Sequence, residues 1–119
     1  MPDTQKDLRR KILGRKGEAV VCKYLKKQGY KILHRNFQTP FGEADIVAKK
    51  ADTYCFIEVK ARTSDIYGLP AEAVDREKQR RYRMIARYYC NILREEVPCR
   101  FDVAAIFEGG LEYYEGAFF

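Results

Sequence analysis

The clearest alternation of polar and apolar positions runs from Gly42 to Arg62, GEADIVAKKADTYCFIEVKAR. Its first half sets Glu43, Asp45 and Val47 against Ala44, Ile46 and Ala48. Its second half sets Tyr54, Phe56, Glu58, Lys60 and Arg62 against Cys55, Ile57, Val59 and Ala61. Side chains on a strand alternate faces with period two, so the pattern predicts two strands, each with one apolar side. Residues 50–53 suit a hairpin turn, which makes the two strands antiparallel neighbours. Elsewhere the period lengthens to three and four residues, as on a helix. Residues 8–28 carry Leu13, Gly17, Val20, Val21, Tyr24 and Leu25 inward and Lys16, Lys23, Lys26 and Lys27 outward, and Gly29 is placed to end this helix. Residues 71–93 place Val74, Lys78, Tyr82, Ile85, Tyr89 and Ile92 on one stripe, with Ala86 and Leu93 beside it. Arg76, Arg80, Arg83, Arg87 and Arg94 lie opposite. Further strands are expected at 30–38, with Ile32 and Leu33 inward, at 99–107 and at 111–119, the last two joined by a turn at Gly109-Gly110. Thr39, Pro40 and Gly42 make a turn, and Gly68 and Pro70 punctuate a loop at 63–70 that follows the charged end of its strand as a flap would. The order is helix, three strands, helix, two strands. It predicts an α/β domain with a mixed central β-sheet of about five strands flanked by helices.

Composition narrows this picture. A chain of 119 residues is one domain with room for a real core, and residues 1–8 are polar enough to fray. The formal charge of +6 favours an anionic partner such as nucleic acid. No apolar run approaches the roughly 20 residues of a membrane helix, and the N-terminal residues lack the apolar core of a signal peptide. The expectation is a cytoplasmic protein without a membrane partner. Cys22, Cys55, Cys90 and Cys99 form no C-x-x-C pair and no zinc-ligand spacing; Cys22 and Cys55 read as small buried hydrophobes. His34, the single histidine, reads as structural or surface-exposed. The aromatic tail, with Tyr113, Tyr114, Phe118 and Phe119, is either cover for the core or a self-association patch that would make a homodimer.

A few polar residues sit where apolar ones are expected. Glu18 neighbours Val21, Cys22 and Leu25 on the helical wheel. It is either a rim carboxylate paired with a base or an acid aimed at the sheet. Lys78, on an apolar stripe, either snorkels to the rim or points its ammonium at the sheet. Asp102, inside an apolar strand, needs a partner if buried, and either Arg100 or a lysine from another element could serve. Asp45, Glu58 and Lys60 form a set. Glu58 and Lys60, two apart on a strand, lie about 6.5–7 Å apart on one face, and Asp45 reaches them from the neighbouring strand. Two carboxylates suit a hard divalent cation, which can polarise a phosphoryl oxygen and activate a water. A lysine can steady developing negative charge or orient the water. The other reading of the set is a pair of salt-bridged strand ends.

The D…E-x-K arrangement of Asp45, Glu58 and Lys60 resembles the core of the PD-(D/E)xK nuclease superfamily, with its restriction-endonuclease-like fold. More closely, the chain resembles the YraN family of small bacterial proteins. The matching pieces are G-R-K-G-E at Gly14 to Glu18, R-N at Arg35-Asn36, G-E-A-D at Gly42 to Asp45, I-E-V-K-A-R at Ile57 to Arg62, Lys78, and R-F-D at Arg100 to Asp102. One departure is that Ala44, not proline, precedes Asp45. The resemblance implies Asp45 and Glu58 as ligands of magnesium or manganese, with the Val59 carbonyl as a third. It implies Lys60 as the catalytic lysine and Glu18 as a supporting acid. Lys78, Arg62 and Arg35 would be contacts to nucleic acid, with DNA, branched or structured DNA included, as substrate. A catalytically silent nucleic-acid-binding module and an assembly or adaptor protein are the alternatives.

Overall fold

The computed structural model describes residues 17–61, 74–107 and 109–119. Arg62, the loop expected at 63–70, the polar residues 1–8 and the first turns expected for both helices lie outside the described residues. Helix α1 covers 17–27. It is followed by β1 (Lys31–Thr39), β2 (Gly42–Lys50), β3 (Thr53–Ala61), α2 (Arg76–Leu93), β4 (Cys99–Phe107) and β5 (Gly110–Phe118). The five strands form one sheet in sequence order. All neighbours are antiparallel except β3 and β4, which run parallel from Tyr54 opposite Cys99 to Ala61 opposite Ile106. A parallel pair needs a crossover, and α2 lies within it. This is the expected α/β architecture, a five-stranded mixed sheet flanked by two helices, as in restriction-endonuclease-like domains.

Each face of the sheet has its own core. On one side Val21, Cys22 and Leu25 of α1 pack on Ile46, Ala48, Cys55, Ile57 and Ala104. On the other Tyr82, Ile85, Ala86 and Tyr89 of α2 pack on Ala44, Val47, Phe56, Val103 and Phe118. Covered on both faces, β2, β3 and β4 carry nearly all of the buried strand residues. Cys22 and Cys55 are buried, and all four cysteines are free thiols. Among the described residues no helix is long and apolar enough to cross a membrane.

Several expectations need correction. Val20 is 49% exposed, because the buried face of α1 centres on Glu18, Val21, Cys22 and Leu25. α2 begins at Arg76 rather than at 71, because Asp75 caps it by accepting the Lys78 N–H at 2.8 Å. Its apolar stripe ends at Tyr89; Ile92 and Leu93, in the last turn, are exposed. The β2–β3 turn is two residues, Ala51 and Asp52, and Ala51 takes φ 53°. Most consequentially, Ala44 packs with Val47 on the α2 side rather than with Ile46 and Ala48 on the α1 side. The alternation of β2 therefore slips by one residue around Asp45.

Candidate functional site

The β2–β3 ladder runs from Lys50 opposite Thr53 to Ile46 opposite Ile57. Beyond that last pair the backbone partner is replaced by a side chain: Asp45 Oδ2 accepts the Val59 N–H at 2.8 Å. The slip in β2 turns the half-buried Asp45 carboxylate along the sheet toward β3, where Glu58 also lies. Glu58 follows Phe56 on the α2 face and is 5% exposed. A buried carboxylate needs partners, and α2 supplies two of them one helical turn apart. Lys78 Nζ donates to Glu58 Oε1 at 2.6 Å. The Tyr82 hydroxyl donates to Glu58 Oε2 at 2.7 Å and accepts the Asp45 N–H at 3.3 Å. One buried phenol thus joins the strand of one acid to the side chain of the other.

The electrostatics follow from this crowding. Burial, then the Glu58 charge, push the Asp45 carboxyl up to about 7; the Val59 N–H opposes the rise, Glu18 adds to it, and Lys78 opposes it. The Tyr82 phenol is held well above its usual range by burial and by the two carboxylates beside it. Glu18 is 9% exposed and its charge is felt at Asp45, so it is an acid turned to the sheet rather than one on the rim. Gly17 makes this placement sterically accessible. A Cβ there would lie 3.1 Å from Ile106 Cδ1 and 3.6 Å from Val59 Cγ1, so α1 at Gly17 rests almost directly on the ends of β4 and β3.

Of the residues singled out from sequence, Asp45, Glu58, Val59, Glu18 and Lys78 come together. Lys60 lies two residues beyond Glu58 on β3 and is exposed. Arg35 is elsewhere. It pairs in register with Ile46, whose side chain faces α1, and its charge is felt at Cys22. Arg76, Arg80, Arg83 and Arg87 are exposed on the outer side of α2. His34 is structural: its Nε2 lies 3.2 Å from the Tyr89 hydroxyl and its ring packs beside Phe37. Asp102 is fully buried and belongs to a second polar group. Arg100 holds both its oxygens at 2.9 Å, Tyr113 donates to Oδ2 at 2.6 Å and the Gly116 N–H donates to Oδ1 at 2.9 Å. Tyr82 escaped the sequence reading. The signal was present, since a tyrosine four residues after a lysine on a buried stripe must find a partner for its hydroxyl.

The donor set suits a divalent ion of the magnesium type: hard carboxylate oxygens from two strands and a backbone carbonyl. A residue's N–H and C=O leave its strand toward the same edge, so the Val59 carbonyl is turned toward Asp45 with its N–H. The Lys78 ammonium already occupies the place of a cation on Glu58. Among the described residues no three His, Cys, Asp or Glu side chains group closely enough to hold a metal by themselves. An ion here would complete its shell with the carbonyl, water and substrate, as magnesium commonly does.

Comparison with known proteins places these residues in a family. The model described as "Uncharacterised protein family UPF0102" matches residues 17–106, which include the acids, Lys78 and Tyr82. A UPF0102 protein of Thermodesulfovibrio yellowstonii is 48% identical over 107 residues, 90% of this chain and 96% of its own length. UPF0102 proteins of Caldicellulosiruptor saccharolyticus and Lachnoclostridium phytofermentans are each 41% identical, covering 84% and 93% of this chain and 86% and 96% of theirs. The chain belongs to the UPF0102 family, the YraN family of the sequence resemblance.

Proposed function

We propose that this protein is a metal-dependent nuclease-like protein of the cytoplasm that hydrolyses phosphodiester bonds in DNA, with branched or otherwise structured DNA as the favoured substrate. The observation that supports this most is the meeting of Asp45 and Glu58 where β2 and β3 part, under the first turns of α2. Asp45, Glu58 and the Val59 carbonyl would hold magnesium or manganese. The ion supplies charge that polarises a phosphoryl oxygen and makes the attacking water more acidic. The chain's own residues do the rest. Tyr82 keeps Glu58 from rotating and anchors the backbone of Asp45. Glu18 adds negative charge from α1, which favours cation over anion at the site. Lys60, exposed beyond Glu58, orients the attacking water or steadies the negative charge that develops on the phosphate. The basic surface, including the outer arginines of α2, draws the polyanion in.

Incubation of branched and linear DNA with the protein and magnesium tests this reading. Cleavage is expected with the wild type, and Asp45→Ala and Glu58→Ala should each lower its rate about 100-fold or more, the scale on which removal of a key electrostatic group acts. Cleavage that survives both substitutions overturns the assignment. A second reading, a DNA-binding module without catalysis, is favoured by one observation: both Glu58 oxygens already accept strong hydrogen bonds. Salt-sensitive DNA binding with no metal uptake would select it.

A further inference from the structure

Lys78 is attached to the site differently from its neighbours. Its backbone is fixed, because its N–H is held by the cap residue Asp75 at 2.8 Å. Its side chain is 38% exposed, whereas the Glu58 side chain that it touches is 7% exposed. The ammonium therefore reaches a buried carboxylate from the solvent side, on a side chain that is itself more than a third exposed. Tyr82, by contrast, is 1% exposed and holds Glu58 through the other oxygen. If Lys78 withdraws, Glu58 keeps its orientation. The charges of Glu58 and Glu18 both act on Asp45, and among the described residues Lys78 is the cation that opposes them there.

We infer that Lys78 is a placeholder cation, which neutralises Glu58 while no metal is bound and yields that oxygen when a divalent ion loads. This rests on the reading of Asp45 and Glu58 as metal ligands, and it adds that metal and lysine exclude each other at Glu58 Oε1. The released ammonium, still tethered to the first turn of α2, is then available to a phosphate drawn to the ion. The exchange has a definite sign. Removing Lys78 destabilises the metal-free protein and leaves the loaded one nearly untouched, so affinity for the ion must rise by linkage. A lysine that only kept the carboxylates ionised, or only buttressed the fold, would give lower or unchanged affinity.

Titration calorimetry with manganese at pH 8, in the full chain and without DNA, reads this directly. Lys78→Met and Lys78→Gln are expected to bind manganese about 10-fold more tightly than wild type, the scale of one hydrogen bond to a charged group. The melting temperature of each variant should fall without metal and return to the wild-type value at saturating manganese. Equal or weaker binding by both variants, with the wild type still taking up metal, overturns the exchange and leaves the metal site standing. No uptake by wild type or variants overturns both.

Discussion

At the scale of single residues, the site is built from charges that oppose one another and dipoles that restrain them. Asp45 carries the pH signature. Its carboxyl is raised from 3.8 to about 7, chiefly by burial and next by Glu58. Between those values the folded chain binds a proton that the unfolded chain has released, so this group's contribution to stability is complete below about pH 4 and is lost as pH rises to about 7. In metal-stripped protein, Asp45→Asn should therefore gain stability relative to wild type across that window, with the difference levelling off above pH 7. Urea unfolding at several pH values measures it, and a constant difference would show that the carboxyl is not shifted. The acids of the site were legible in the sequence because a carboxylate on an otherwise apolar strand demands a reason. The role of Tyr82 was less so. Its ring satisfies the apolar stripe of α2, and its hydroxyl's partners belong to strands 24 and 37 positions away.

At the scale of elements, the strands and the two helices could be read from period alone, whereas the details set by pairing could not. Nothing in the order of residues 42–50 announces that β2 changes phase at Asp45; the slip arises from how β2 lies against β3 and α2. The same holds for Asp102. Of the two partners the sequence offered it, Arg100 rather than a lysine holds it, but its deeper use is to fasten β5. The β4–β5 register shifts between Phe101 and Val103, and the carboxylate fills the irregularity by accepting the Gly116 N–H. Asp102→Ala should cost about 3 kcal/mol in urea unfolding, since it strands a guanidinium and a buried hydroxyl together. A loss below about 1 kcal/mol would show that water replaces the carboxylate. The β2–β3 turn gives a change of opposite sign. Ala51 sits at φ 53°, a conformation that costs a residue with a Cβ about 1–2 kcal/mol. Ala51→Gly recovers part of this against its greater freedom when unfolded, for a net gain of about 0.5 kcal/mol by the same measurement.

At the scale of the whole molecule, two helices close a sheet from opposite sides, and the candidate site lies where β2 and β3 separate. The net charge of +6 predicts that binding to DNA, measured by fluorescence anisotropy, weakens linearly on a logarithmic salt axis as counterions are displaced. A salt-independent affinity would mean that the surface does not meet phosphate. The parallel sense of β4 beside β3 was not legible, because periodicity distinguishes faces but not sense and no short turn joins these two strands as one joins β2 to β3. That direction governs how the chain assembles. Three of the four ladders join strands consecutive in sequence with only a short turn between them, and the fourth joins Tyr54 to Cys99 across all of α2. Closing the longer loop demands more chain entropy before any contact rewards it. The β3–β4 seam should therefore zip last, after the β1–β3 meander has formed its own nucleus. Truncating Val47 should then slow refolding, whereas Ala104→Gly on the seam should chiefly hasten unfolding.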